Sequence, residues 1–284
     1  MQTISQLSRL RFAREALREE GHTLALVPTM GALHEGHLAL VREASRRADR
    51  VAVSIFVNPR QFGEGEDLDA YPRQLERDAG RLREEGVALL WAPTPDEMYP
   101  EGYATNISVA GVSAGLCGAQ RPGHFDGVAT VVCKLFNQVR PDMAVFGEKD
   151  WQQLAVIRRM ARDLDLTAPR ADAILAMPTV READGLAMSS RNAYLSPDER
   201  EAAAALPVAM ARAAADLAAG AAIGPTLDAL EATLRRAGFD GVDYAELRDG
   251  GDLAVLSRLT PAARLFVAAR IGGTRLIDNR PVDG

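Results

Sequence analysis

Cysteine is scarce in this chain of 284 residues, where Cys117 and Cys133 are the only two. Thiols so few and so far apart exclude a disulfide-stapled scaffold, a zinc knuckle and a Cys-x-x-Cys redox pair. They read instead as reduced, buried thiols of a cytoplasmic protein. Positive charge is not in excess, the net charge being −6, so no nucleic-acid surface is expected. No apolar run approaches the ~20 residues that a membrane-spanning helix needs. Residues 1–20 carry arginines and glutamates through their apolar positions, so neither signal peptide nor membrane span is expected there. Internal repeats and low-complexity tracts are also missing, apart from an Ala-rich helical stretch around 201–222. What remains is an ordinary globular composition, 47% hydrophobic and 25% charged, in a length comfortable for two domains.

Histidine is rare as well, which makes its placement informative. Of His22, His34, His37 and His124, two fall together in His34-Glu35-Gly36-His37, just after the apolar run 23–29. A zinc protease would need His-Glu-x-x-His, with its histidines at i and i+4; these stand at i and i+3, with no third ligand nearby. A polyphosphate fits better. At the start of a helix it meets backbone N–H groups, the positive end of the peptide dipoles, two imidazoles and a glycine that permits close approach.

Periodicity predicts a helix over 3–20, with Thr3 and Gln6 spaced as a capping box, a strand at 23–28 and a helix at 34–47. A continuously apolar strand follows at 51–57, then a helix at 75–85 stopped by Gly86, a strand at 87–92, a helix at 125–138 and a strand at 143–146. Strands and helices alternating at this spacing imply an α/β fold, a Rossmann-like doubly wound parallel sheet. Beyond Met177-Pro178 the pattern changes to helices at 197–219 and 225–237 and strands at 242–247 and 265–269. The expected domains are therefore 1–177 and a smaller C-terminal α+β domain, 178–284, with a hinge between them.

In doubly wound sheets ligands sit at the carboxyl ends of strands, where loops 29–37, 58–62 and 147–153 fall. In Gly147-Glu148-Lys149-Asp150, Lys149 is a cation at a helix start suited to phosphate, and Asp150 suits a cap or ribose hydroxyls. Met188-Ser189-Ser190-Arg191 adds two hydroxyls and a guanidinium that can bind phosphate bidentately. Gln61 and Gln153 offer neutral donor–acceptor amides for a small hydroxy acid. Asp78, on a helix, reads either as a solvated charge or as a partner of Mg²⁺-bound water.

These blocks together resemble one family. Pro28-Thr29-Met30-Gly31-Ala32-Leu33-His34-Glu35-Gly36-His37, Ser54-Ile55-Phe56-Val57-Asn58-Pro59 with Gln61-Phe62, and Asp67 with Tyr71-Pro72-Arg73 are similar to the pantoate–β-alanine ligases. So are Gly123-His124-Phe125-Asp126-Gly127-Val128, Lys134-Leu135-Phe136-Asn137, Phe146-Gly147-Glu148-Lys149-Asp150 with Gln152-Gln153, and Asp184-Gly185-Leu186 with Ser189-Ser190-Arg191-Asn192. The resemblance covers about 25–196 and implies a nucleotidylyltransferase-superfamily enzyme that forms pantothenate. In it the carboxylate of (R)-pantoate attacks the α-phosphorus of ATP, and β-alanine then attacks the pantoyl adenylate, releasing AMP. It implies ATP contacts at Met30, Gly31, Ala32, Leu33, His34, Glu35, Gly36 and His37, and at Gly147, Glu148, Lys149, Asp150, Val180, Met188, Ser189, Ser190 and Arg191. His37 matches a proton donor, Gln61 a pantoate and β-alanine contact, Gln153 a pantoate contact and Asp78 a magnesium-linked position. His34, Lys149 and Arg191 complete the expected catalytic set, and a homodimer is implied. One departure stands out: Arg60 occupies a place more usually held by an apolar residue such as methionine. Three other readings are a nucleotidylyltransferase that stops at the adenylate, an aminoacyl-tRNA synthetase, which a short, acidic chain disfavours, and a nucleotide-responsive module without catalysis.

Overall fold

The structure is a computed structural model and describes residues 1–283, which divide into two compact units. The first comprises 1–147 and 153–177, the second 148–152 and 178–283.

The first unit is a six-stranded parallel sheet. Its strands are β1 (Gln2–Ile4), β2 (Leu24–Thr29), β3 (Arg50–Ile55), β4 (Leu89–Trp91), β5 (Met143–Gly147) and β6 (Ile174–Met177), in the spatial order β1-β4-β3-β2-β5-β6. The central strands are apolar without alternation because both faces are covered. Leu24 to Val27 and Val51 to Ser54 are all buried. The helices of this unit are α1 (Leu7–Glu19), α2 (Glu35–Arg47), α3 (Leu75–Glu84), the short α4 (Pro95–Met98) and α5 (Leu116–Gln120), and α6 (His124–Val139). Leu40, Val41 and Ala44 of α2 and Leu82 of α3 share a core with Val27, Val53, Leu90 and Val145 of the sheet. Each such leucine or valine burial contributes ~1.5–3 kcal/mol relative to exposure. The chain steps outward from β2 through β3 to β4, then returns to lay β5 on the other side of β2. That reversal opens a crevice at the carboxyl ends of β2 and β5.

The expected helix over 3–20 is corrected at its start. Residues 2–4 pair in register with Leu89, Leu90 and Trp91, so Thr3 lies in an edge strand and caps nothing. Gln6 is extended (φ −111°, ψ 130°) and makes no side-chain cap, while the Leu7 amide donates to Glu97 Oε1 at 2.8 Å. A carboxylate distant in sequence thus satisfies the helix start.

In the second unit, α7 (Trp151–Asp163) begins with two residues that cluster here before it continues in the first unit. The helix expected at 197–219 is two, α8 (Pro197–Ala203) and α9 (Ala205–Ala218), followed by α10 (Ile223–Arg236). The sheet has three antiparallel strands, β7 (Gly241–Asp249), β8 (Ala263–Ile271) and β9 (Thr274–Pro281). Leu206, Met210 and Leu217 of α9 and Leu230 and Leu234 of α10 bury against Leu247, Leu265, Val267 and Leu276. Strand β9 was not expected because Asp278, Asn279 and Arg280 interrupt its apolar alternation.

Candidate active site

After β2 the chain turns through Gly31 (φ +88°) and Ala32 (φ +50°), both left-handed. Successive amides in such a turn form an anion-binding concavity, and the anion found in it is a side chain. Asp78 of α3 accepts from the amides of Ala32 at 2.8 Å and Leu33 at 3.0 Å. A Cβ on Gly31 would lie 3.2 Å from Asp78 Oδ2 and from Ile55 Cγ2, so packing as well as φ calls for glycine.

The turn delivers His34 as the N-cap of α2. His34 Nδ1 accepts from the Gly36 amide at 3.2 Å, and His37 Nδ1 accepts from the His34 amide at 3.3 Å. Two histidines thus make the reciprocal capping box usually built from Ser and Glu. The first-turn amide of Gly36 is thereby aimed at His34. The rings lie 4.1 Å apart between centroids. Because both Nδ1 atoms accept, the neutral tautomer that fits these bonds carries its proton on Nε2.

Beyond β3, Asn58 caps a 3₁₀ turn, Pro59–Gln61. Asn58 is 1% exposed and fully engaged. Its Nδ2 donates to Gln61 Oε1 and to the Gly127 carbonyl, each at 3.1 Å, and its Oδ1 accepts from the Tyr99 hydroxyl at 2.8 Å. Gln61 Nε2 then faces Met30 Sδ at 3.0 Å, so the direction of this buried amide is fixed. The Gln61 backbone carbonyl accepts from His124 Nδ1 at 2.8 Å and from Arg121 at 3.3 Å. Arg121 also grips Glu66 through two 2.6 Å bonds. Burial alone would raise the Glu66 carboxyl, but the bonds and charge of Arg121 outweigh it and hold Glu66 below its usual range.

Arg60 is accounted for by its neighbours. Its guanidinium lies 5.4 Å and 5.6 Å from the ring centroids of Tyr99 and Tyr103, and Lys134 Nζ lies 4.5 Å from that of Tyr103. The cation is held on aromatic faces and leaves the Gln61 amide network intact. Burial raises the Tyr99 hydroxyl and lowers the Lys134 ammonium from their ordinary values.

Gly147 and the half-buried Gln153 belong to the first unit; Glu148, Lys149 and Asp150 form a 3₁₀ turn of the second. Lys149 Nζ stands 3.6 Å from Asp150 Oδ2. Val180 and Met188 are brought together, the Met188 amide donating to the Val180 carbonyl at 3.0 Å. Ser189 caps the 3₁₀ turn Ser190–Tyr194 by accepting from the Arg191 amide at 3.3 Å. Asn58, Tyr99, His124 and Gly127 were not singled out from sequence as site residues. The available signal was that Asn58-Pro59 breaks a buried strand at its carboxyl end.

Magnesium meets a poor direct ligand in Asp78, which is 2% exposed with both oxygens on amides. Among the described residues no group of three or more His, Cys, Asp or Glu could hold a metal ion. The carboxylate fits an anchor for the 31–33 turn. Asp78→Ala is therefore expected to lose about 2 kcal/mol, the cost of orphaning buried amides, equally in EDTA and in magnesium. Thermal melts in both buffers check this; destabilisation confined to magnesium would make Asp78 a metal ligand.

A histidine-capped turn at the switch point of a parallel sheet, beside the fixed Gln61 amide, defines a nucleotidyltransferase-like α/β enzyme. The family model for pantoate-β-alanine ligase matches residues 2–281, and the chain belongs to that family. It is 66% identical over 283 residues to the pantothenate synthetase of Novosphingobium aromaticivorans, covering 99% of each chain. The crystal structure of pantothenate synthetase from Thermus thermophilus superposes with a TM-score of 0.92 at 48% identity, covering 100% of both chains. A pantoate-β-alanine ligase from Francisella tularensis, crystallised with β,γ ATP and β-alanine, gives 0.82 at 32% identity over 99% of this chain and 97% of that one. The activity is accordingly the ATP-dependent ligation of pantoate to β-alanine. No helix among the described residues is long and apolar enough to cross a membrane.

Proposed function

We propose that ligation proceeds through a pantoyl adenylate. A carboxylate oxygen of (R)-pantoate attacks the α-phosphorus of ATP, the bond to the bridging oxygen breaks, and pyrophosphate leaves. The amine of β-alanine then attacks the acyl carbon, AMP departs with the former carboxylate oxygen, and the nitrogen gives up a proton. Met30 to His37 of the first unit hold ATP, joined by Gly147, Glu148, Lys149, Asp150, Val180 and Met188 to Arg191. Charge that develops on the phosphoryl oxygens is met by His34, His37, Lys149 and Arg191. Gln61 takes pantoate and β-alanine, and Gln153 takes pantoate. Magnesium enters as the counterion of ATP, and no protein ligand is assigned to it.

The observation that carries this reading is that each Nδ1 of the paired histidines accepts from a backbone amide. With each Nδ1 accepting from backbone, Nε2–H is the donor edge of each ring. A donor is what a pyrophosphate leaving group requires, and His37 supplies it. The fixed Gln61 amide supports a polar, uncharged acid pocket. No group of the site is assigned as general base for the amine, because proximity to the trapped acyl adenylate supplies most of the second step's acceleration. The two buried thiols, Cys117 and Cys133, suit a cytoplasmic enzyme, and the family resemblance supports a homodimer.

The test follows AMP and pyrophosphate from Mg-ATP. Pyrophosphate formation with pantoate alone, and sustained AMP formation only when β-alanine is added, is the expected pattern. AMP release that needs no acid, or pyrophosphate release indifferent to pantoate, overturns it.

A further inference from the structure

The second unit buries two consecutive polar residues in β9, Asp278 at 4% and Asn279 at 3% exposure. Buried polar side chains cost free energy unless every group is satisfied, and an apolar residue would fill a strand interior more simply. Their bonds show what they fix. Asn279 Nδ2 donates to the carbonyls of Glu148 at 2.9 Å and Lys149 at 2.8 Å, while its Oδ1 accepts from Arg264. Arg264, itself 8% exposed, lies 3.5 Å from the Trp151 ring centroid and 3.4 Å from Glu148 Oε2. Trp151 Nε1 donates to the Gly250 carbonyl at 2.7 Å. Residues 148, 149 and 151 are thus gripped by backbone, carboxylate and ring at once.

Asp278 holds the neighbouring loop. It accepts from Arg181 at 2.7 and 3.0 Å, and Arg181 donates onward to the Gly185 carbonyl at 3.0 Å. Arg181 bridges Ala187, the residue before Met188 to Arg191. The Asn279 amide closes the pair by donating to Asp278 Oδ1 at 2.7 Å. Two adjacent positions of one strand therefore hold the backbone that carries Lys149 and the 181–187 loop that leads to Arg191.

We infer that Asn279 is a positioning residue for adenylation: by holding both carbonyls of the 148–149 turn it aims Lys149 at the phosphates, with Asp278 doing the same for the loop of Arg191. This rests on the phosphate-binding role given to Lys149 above. A misplacement near 1 Å at such a group costs about 10²-fold in rate.

Asn279→Asp keeps the size of the side chain and an acceptor for Arg264, but turns an oxygen toward the two carbonyls. Asn279→Ala simply removes the donors. Either folded variant is expected to lose about 10²-fold in kcat for pantoate-dependent pyrophosphate formation. Conversion of supplied pantoyl adenylate with β-alanine, which involves no pyrophosphate, is expected to fall far less. Combined with Lys149→Ala, either variant adds little further loss, because both remove the same contact. An unchanged adenylation rate, equal losses in both half-reactions, multiplicative losses with Lys149→Ala, or failure of both variants to fold overturns the inference. Lys149→Ala alone separates the two readings: if it leaves adenylation intact, the role given to Lys149 is at fault; if it slows adenylation while folded Asn279 variants do not, the positioning inference is.

Discussion

His37→Ala is expected to leave a folded chain that has lost pantoate-dependent pyrophosphate release, by on the order of 10²–10³ in rate. The loss is catalytic because the imidazole has two separable jobs. Its Nδ1 accepts from the His34 amide at 3.3 Å, a long bond whose removal costs at most about 1 kcal/mol of helix capping. In the proposed reaction its Nε2–H is the donor for charge leaving the α-phosphorus. His37→Asn separates the two, since a short amide oxygen at the same helix position can still accept from the N-cap amide while the distal donor is gone. Melting temperature is therefore expected to recover in the Asn variant and rate is not. The second half-reaction, started from supplied pantoyl adenylate, should survive in both. Pyrophosphate release near the wild-type rate by either variant removes His37 from the chemistry.

How much of this was legible in the sequence depends on how local the cause is. The central strands β2 and β3 were, because a parallel strand covered on both faces must be apolar throughout. The edge strands β1 and β6 were not: each is three or four residues long and exists through pairing with Leu89–Trp91 or with β5. The break at Ala204 between α8 and α9 did carry a signal, Pro207, whose missing N–H suits the first turn of α9 and not the interior of one long helix. Strand β9 was hidden by the buried polar residues that tie down the Lys149 turn. The pairing of His34 with His37 could be read from spacing alone, but their use as a mutual cap could not. Asp78 read as a solvated charge or a metal partner, because nothing in α3 announces that the turn 45 residues upstream will present two amides to it. One unused signal was compositional: Lys134 and Lys149 are the chain's only lysines among 33 Lys and Arg residues, which marks both positions. Lys134 stacks on Tyr103, and Lys149 stands in the turn that Asn279 holds.

The second large effect is expected at Gly127→Ala, a change that intrinsic propensity alone would favour by up to about 1 kcal/mol inside a helix. Packing decides the other way. A Cβ at this position of α6 would stand 2.2 Å from the Arg60 carbonyl oxygen, 2.5 Å from its carbon and 2.7 Å from Gln61 Cα. All three are backbone atoms, so no side chain can rotate aside, and the 59–61 turn must move by about 1 Å to restore ordinary contact. That movement breaks what orients Gln61, because Asn58 Nδ2 bridges the Gly127 carbonyl and Gln61 Oε1. Overpacking of this kind costs ~1–3 kcal/mol in stability, and a shift of that size at the amide proposed to bind pantoate and β-alanine is expected to cost about 10²-fold in kcat/KM. The loss should appear as raised KM for both pantoate and β-alanine, with the KM for ATP less affected, since the His34 and His37 turn is built on Asp78 and α2. Gly80→Ala is the matching control: a Cβ there meets nothing within 4 Å in α3, so it should be neutral or slightly stabilising. Steady-state kinetics and melts on the two variants check the contrast. If Gly127→Ala retains wild-type KM values, the orientation of Gln61 does not depend on the close approach of α6.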